Sequence, residues 1–269
     1  MTANEIELSE DQVTAMQHIR AWRDDTDEFR QTLTLGGFAG CGKTTLISIL
    51  VSEWPDVAVA ALCGKAANEL RKKGVGSAST IHSLIYEPYE SGGMILFRKL
   101  ESLSCGVIII DEASMVSTDL YDDLLSFCKP ILFVGDHGQL EPIGSNPMLM
   151  KNPEIRLERI HRQAAGNPIL RLATALREDR DVPNWESKDG ELRICGRGEF
   201  AKLAKTEDAQ FICGYNRTRH GINREIRERL GYKKLVEPGE RVICLRNNKE
   251  LGLFNGQQAT VLKVKRSSS

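Results

Sequence analysis

The chain has 269 residues, 41% of them hydrophobic and 27% charged, with a formal net charge of −1. That is enough for one large or two small domains of ordinary globular composition. No apolar run approaches the ~20 residues that a bilayer span needs, and the acidic, polar start Met1-Thr2-Ala3-Asn4-Glu5 is not a secretory signal.

The seven cysteines are scattered, with no C-x-x-C pair. That argues against a disulfide framework and a zinc site, and for a reducing, cytoplasmic compartment. The small net charge hides an asymmetry. Residues 1–150 hold 11 Lys and Arg against 21 Asp and Glu, and residues 151–269 hold 25 against 16. A basic second half fits a polyanion partner as well as it fits a solvated basic face.

Residues 1–30 read as a helix. Ser9 followed by Gln12 has capping-box spacing, and Val13, Met16 and Ile19 fall on one face. Leu33-Thr34-Leu35 is the end of a buried strand. It runs into Gly37-Phe38-Ala39-Gly40-Cys41-Gly42-Lys43-Thr44, a complete G-x-x-x-x-G-K-[ST] loop, and then into a helix from Thr45. Glycines let backbone N–H groups turn inward around phosphate oxygens, and the helix N-terminus adds partial positive charge. Lys43 is expected to reach the β- and γ-phosphates of a nucleoside triphosphate, and Thr44 to hold Mg2+. Gly37, Gly40, Gly42 and Thr45 complete the nucleotide-binding set, and Cys41 reads as a small filler.

Val57–Leu62 reads as a strand and Gly64–Lys73 as a helix. Glu90-Ser91-Gly92-Gly93 is a turn, with Met94–Phe97 as a return strand. Ile108-Ile109-Ile110-Asp111-Glu112 is an apolar strand ending in two acids. Asp111 is placed to complete the Mg2+ shell opposite Thr44, and Glu112 to take a proton from the attacking water. Leu120–Phe127 reads as a helix and Pro130–Val134 as a strand. The next residues, Gly135-Asp136-His137-Gly138-Gln139-Leu140-Glu141-Pro142, put Gln139 where its amide could sense a γ-phosphate or orient water. His137 reads as a surface loop residue. Strands alternating with helices imply a parallel sheet, whose ligands bind beyond the C-terminal strand ends.

Asn167–Arg177 reads as a helix and Arg180–Gly198 as a polar connection. Ala209–Gly214 reads as a strand, Thr218–Leu230 as a charged helix, and Arg241–Leu245 and Gln258–Val264 as strands. Asn255-Gly256 is a turn signal. Lys265–Ser269 reads as a frayed tail.

The ordered motifs resemble the superfamily-1 DNA helicases of the RecD and Dda type, from about Leu8 to Val264. In that resemblance Gln12, within Leu8-Ser9-Glu10-Asp11-Gln12, is an adenine reader. Ala61-Leu62-Cys63-Gly64-Lys65-Ala66-Ala67 is similar to the family's A-P-T-G-K-A-A segment, with Leu62-Cys63 in place of Pro-Thr. Ser79-Thr80-Ile81-His82-Ser83-Leu84 is similar to a DNA-facing T-I-H-S-L stretch. Lys65, Thr80 and His82 are thereby implied DNA contacts. Phe97, on a small hairpin at about 86–99, is the implied wedge that splits the duplex. Leu157–Gln163 resembles the segment whose arginine meets the γ-phosphate, with Arg162 as the implied finger and Arg159 as the alternative. Cys213–Arg219, followed by Asn223 and Arg227, resembles the opening of a second motor domain, with Asn216 and Arg219 as implied DNA contacts.

The fold class implied is α/β: a RecA-like P-loop NTPase domain with a parallel sheet flanked by helices, followed by part of a second RecA-like domain. The expected organisation is a motor domain at 1–165, a connection at 166–200 and an incomplete second domain at 201–269. The incompleteness is expected because the family's T-x-H-K-x-Q-G and Y-V-A-x-T-R patterns are not found. The expected function is an ATP- and Mg2+-dependent helicase or translocase on single-stranded DNA, moving 5′→3′ by resemblance. Its expected partners are DNA duplex junctions, replication or recombination proteins, and the remaining half of the motor. The alternative is a P-loop switch or a DNA-binding subunit that gates a partner.

Overall fold

The computed structural model describes residues 7–25, 30–92, 94–139, 147–157, 167–177, 192–194, 211–245, 251, 253 and 256–265. The chain divides into two compact units, Met1–Gly166 and Asn167–Ser269.

The first unit carries a six-stranded parallel sheet in the order β3-β2-β6-β7-β1-β8. Its strands are β1 (Thr32–Gly37), β2 (Val57–Ala61), β3 (Ser79–Thr80), β6 (Val107–Asp111), β7 (Ile131–Gly135) and β8 (Ile155–Leu157). Helix α1 (Glu10–Asp24) precedes β1, and helices α2 (Lys43–Glu53), α3 (Gly64–Lys72), α4 (Ile81–Ile85) and α5 (Thr118–Leu125) lie between the strands in the chain.

The apolar run Val107-Ile108-Ile109-Ile110 forms a central strand because both of its faces are covered. Val107 and Ile109 point into one cluster with Leu46, Ile47 and Leu50 of α2 and Met16 and Ile19 of α1. Ile108 and Ile110 point the other way, against Ile81, Ile85, Leu120, Leu124 and Phe133. The result is a three-layer α/β sandwich, as a chain of alternating strands and helices requires.

The Ser9–Gln12 spacing forms a helix start: the Ser9 N–H donates to Gln12 Oε1 at 3.0 Å. The buried face of α1 is Gln12, Ala15, Met16 and Ile19. Val13, expected on that face, is exposed. Met16 and Ile19 continue the i, i+3, i+4 stripe begun by Gln12 and Ala15, and Val13 lies to one side of it.

Two strands leave this sheet. Among the described residues, β4 (Tyr86–Ser91) and β5 (Met94–Lys99) pair only with each other, antiparallel, from Tyr86↔Lys99 to Ser91↔Met94. The insertion expected at about 86–99 is thus a ribbon of two strands.

In the second unit the described residues form helices Pro168–Arg177 and Asn216–Arg229, and an antiparallel pair, β9 (Arg241–Ile243) with β10 (Gln258–Thr260). Within the segment read as a strand, Phe211–Gly214 has no ladder among the described residues, and Ile212 is exposed. A strand exists only when its N–H and C=O groups find a neighbour. Arg227, matched above to a motor motif, is structural in this unit. It donates to Glu240 at 2.7 Å and to the Leu235 carbonyl at 2.8 Å, pinning the turn after its helix. Glu237 adds to that turn by accepting the Lys233 and Lys234 N–H groups at 2.5 and 2.6 Å, which holds its carboxyl below the usual range.

Candidate active site

The C-terminal strand ends gather the chemistry. β1 ends in the glycine loop, and Gly40 and Gly42 take φ of 85° and 80°. That left-handed backbone turns the loop's N–H groups inward and favours glycine there. Gly36 and Gly135 face each other across β1 and β7. A Cβ on Gly36 would stand 2.4 Å from Pro153 Cγ, so this floor admits no side chain.

Lys43, at the first turn of α2, folds back over the loop. Its Nζ donates to the Gly37 and Phe38 carbonyls at 2.5 and 3.1 Å. The two carbonyl dipoles hold the ammonium over the cradle. Thr44 and Thr45 follow it on the same turn.

Cys41 is buried beneath the loop, and burial pushes its thiol up. It is an inert filler, as read from sequence. Gln12 is 2% exposed, and both ends of its amide are engaged. Its Oε1 accepts from Ser9 N–H, and its Nε2 donates 2.9 Å to the Cys41 carbonyl. The structure therefore places Gln12 behind the loop, tying α1 to it. Gln12→Ala is expected to cost about 1–3 kcal/mol, because the Cys41 carbonyl loses a buried donor. Thermal unfolding checks this, and the nucleotide KM should rise with it as the loop loosens.

Asp111 ends β6 and Glu112 follows with φ of 56° and ψ of 38°. Such a backbone costs a non-glycine residue roughly 1–2 kcal/mol and clusters at functional sites. Here it bends the chain off the strand, so the two carboxylates leave the sheet at one point. Burial, and then the neighbouring Glu112 charge, push Asp111 up to about 6, against the pull of Lys43.

A cleft of about 500 Å³ is lined by Thr44, Lys65, Asp111, Glu112 and Gln139, with Leu62, Cys63 and Met115. Five residues expected from sequence therefore line one cleft. Gln139 Oε1 accepts from Ser114 Oγ at 3.2 Å, linking the third strand-tip loop to the acidic one. Asp136 builds that loop. It is 3% exposed, and its Oδ1 accepts the Gly138 N–H at 2.8 Å. Sequence reasoning assigns neither Ser114 nor Asp136 a part. Their signal was a small hydroxyl and an Asx-turn acid flanking the reactive positions. His137 departs from the surface reading: it is half-buried, its ring 4.2 Å from that of Phe38.

The remaining expected residues lie elsewhere. Thr80 caps α4, accepting the Ser83 N–H at 3.2 Å. His82 is exposed and its ring lies 5.4 Å from that of Tyr86. Phe97 is 64% exposed on β5. Asn216 and Arg219 begin a helix of the second unit with no buried residue. Arg162, its alternative Arg159, and the segments Leu140–Asn146 and Phe254-Asn255 lie outside the described residues.

A family model described as AAA domain matches residues 7–195. The chain belongs to this AAA-domain family. It is 28% identical to the ATP-dependent RecD2 DNA helicase of Deinococcus radiodurans over 96% of its own length and 38% of that protein's. It is 26% identical to the RecBCD enzyme subunit RecD of Mycolicibacterium smegmatis, covering 85% of this chain and 54% of that one. The chain thus spans little more than a third of the first relative and about half of the second. These relatives bear out the resemblance to RecD-type helicases read from the motifs.

The fold is similar to a solved Bacteroides Pif1 helicase in complex with ADP-AlF3 and ssDNA. The TM-score is 0.59 at 19% identity, over 97% of this chain and 71% of that one. A structure of two coordinating Pif1 helicases unwinding forked dsDNA gives 0.60 at 20% identity, over 97% and 72%. The AAA-domain α/β sandwich is a P-loop, RecA-like fold. No helix among the described residues is long and apolar enough to cross a membrane.

Proposed function

We propose that the chain is the ATP-hydrolysing motor part of a DNA helicase or translocase that runs on single-stranded DNA, 5′→3′. The observation that carries this is the shared cleft. Thr44 of the phosphate loop, the carboxylates Asp111 and Glu112, the Gln139 amide and Lys65 line it together. A P-loop switch explains the first three but not Lys65 and Gln139 beside them.

The donor set fits Mg2+: one hydroxyl and one carboxylate, leaving other positions to phosphate oxygens and water, as this ion prefers. Thr44 and Asp111 would hold it. When bound, the ion neutralises charge on the phosphates. The loop N–H groups and Lys43 bind the β- and γ-phosphates, with Lys43 exchanging its two carbonyl acceptors for phosphate oxygens. Glu112 takes the proton of the attacking water. Gln139 registers the γ-phosphate and passes its presence to Ser114 through their hydrogen bond. Arg162 supplies a cation to the transition state. Lys65, Thr80 and His82 contact DNA, with Asn216 and Arg219 on residues 201–269, which we assign to the beginning of a second RecA-like domain after a connection at 166–200. The DNA contacts to phosphates weaken steeply with salt.

The test is Mg2+-dependent ATP hydrolysis with and without single-stranded DNA, on this chain and on Lys43→Ala. The expected result is DNA-stimulated hydrolysis, reduced about 10²–10³-fold in the variant. Hydrolysis indifferent to DNA would overturn the reading.

A further inference from the structure

A two-stranded ribbon alone in water is marginally stable at best. Among the described residues the β4–β5 ribbon pairs with no other strand, yet it displays Tyr89, Met94, Leu96 and Phe97 to solvent. What fixes it is at its base. Tyr86 and Lys99 are directly paired there, on opposite strands. Both reach the same carboxylate on α5: the Tyr86 hydroxyl donates to Asp123 Oδ2, and Lys99 Nζ donates to Asp123 Oδ1 at 2.9 Å. Lys99 also donates to Ser126 Oγ at 3.0 Å, and Ser126 Oγ donates to the Asp123 carbonyl at 2.6 Å.

One carboxylate therefore clamps both strands to a helix of the motor. The hydrogen bond from Tyr86 holds the Asp123 carboxyl below its usual range. Burial and Asp123 push the tyrosine up to about 12. Both groups thus keep the donor and acceptor states the clamp needs across the physiological range. Phe97 and Pro88 stand opposite each other on the same ribbon face as Tyr86 and Lys99. A tilt at the base is passed to that aromatic directly.

We propose that Asp123 is a positioning residue that roots this ribbon on α5, so that Phe97 is held rigidly enough to stack between bases at the opening of a DNA fork. This rests on the function proposed above and on the wedge role that the resemblance to RecD-type helicases implies for Phe97. The motor's chemistry does not need Asp123, but useful work by the ribbon does, because a loose wedge yields to the duplex. α5 follows the acidic turn Asp111–Met115 by two residues, so the root joins the ribbon to the helix that comes next in the chain after the water-activating acid.

The experiment compares the wild-type chain with Asp123→Asn and with Tyr86→Phe, which removes one hydroxyl only. Amide hydrogen exchange is read over Tyr86–Lys99 and over the central strands. Opening of a fork carrying 2-aminopurine at its first pair is read by fluorescence, and hydrolysis is read with single-stranded DNA. In Asp123→Asn, ribbon exchange is expected to rise about tenfold with the central strands unchanged. Fork opening is expected to fall several-fold, with DNA-stimulated hydrolysis within about twofold of wild type. Tyr86→Phe is expected to fall between. Unchanged ribbon exchange, or unchanged fork opening with a loosened ribbon, would overturn the proposal. Absence of DNA-stimulated hydrolysis in the wild type overturns the function instead, and exchange alone then decides the root.

Discussion

Replacing Glu112 with Gln is expected to reduce ATP hydrolysis by about 10²–10⁴-fold, the usual worth of a general base. Gln has the shape of Glu and can keep the left-handed turn at φ 56°, so the loss falls on proton transfer and not on the fold. Nucleotide affinity is expected to stay near the wild-type value, because the phosphates are held by the loop, Lys43 and Thr44. The variant carries a second signature. The Glu112 charge is one cause of the raised Asp111 value. Its removal should move the Asp111 titration below about 6. Steady-state hydrolysis, nucleotide affinity and the carboxyl titration are the three measurements. A variant keeping more than about a tenth of the wild-type rate would remove Glu112 from the role of base.

Asp111→Asn is expected to abolish Mg2+-dependent hydrolysis and, without nucleotide, to make the protein more stable. Burial holds the Asp111 carboxyl up at about 6 in the fold, against about 3.9 in an unfolded chain. Between those two values the folded state binds more protons than the unfolded one. Stability therefore falls as pH rises from about 4 to about 6, and the cost is fully present above that. Asn carries no ionisable group and escapes this cost, about 3 kcal/mol. The variant should thus melt higher than wild type at pH 8, and the two should converge below pH 4. Adding Mg2+ and ATP at pH 8 should reverse the order, since only wild type gains the full linkage from binding. A melting temperature equal to wild type at pH 8, without ligand, would mean that the acid is not held ionised against its surroundings.

Much of the fold was legible because a local rule and a global one agreed at the same residues. The run Val107–Ile110 could only be a strand covered on both faces, and the glycine loop could only join a strand to a helix. The site was legible for a related reason: in a parallel sheet, acids at strand ends share one edge. That is why the sequence alone groups Thr44, Asp111, Glu112 and Gln139.

What was not legible depended on contacts distant in sequence. The resemblance implies an adenine reader at Gln12, and its 29-residue reach to the Cys41 carbonyl is a packing outcome that no local pattern shows. The face of α1 turned inward slightly off the one expected, leaving Val13 outside, because burial is decided by what α1 meets. Asp123 was one of several acids on a short helix, and nothing local distinguishes it. Only pairing Tyr86 with Lys99 across the ribbon makes it a shared acceptor.

The ribbon also begins and ends at one point. The Leu100 N–H donates to the Ile85 carbonyl at 2.9 Å, so the chain leaves and re-enters the motor at adjacent residues. Loop-closure cost grows only slowly with length, so Tyr86–Lys99 behaves as an exchangeable cassette. It can be lengthened, trimmed or replaced by another two-stranded tool while the order of the six parallel strands stays as it is. Such a junction lets the tip diversify independently of the engine beneath it. It also marks Ile85 and Leu100 as the two places to cut when a different working end is to be grafted onto this scaffold.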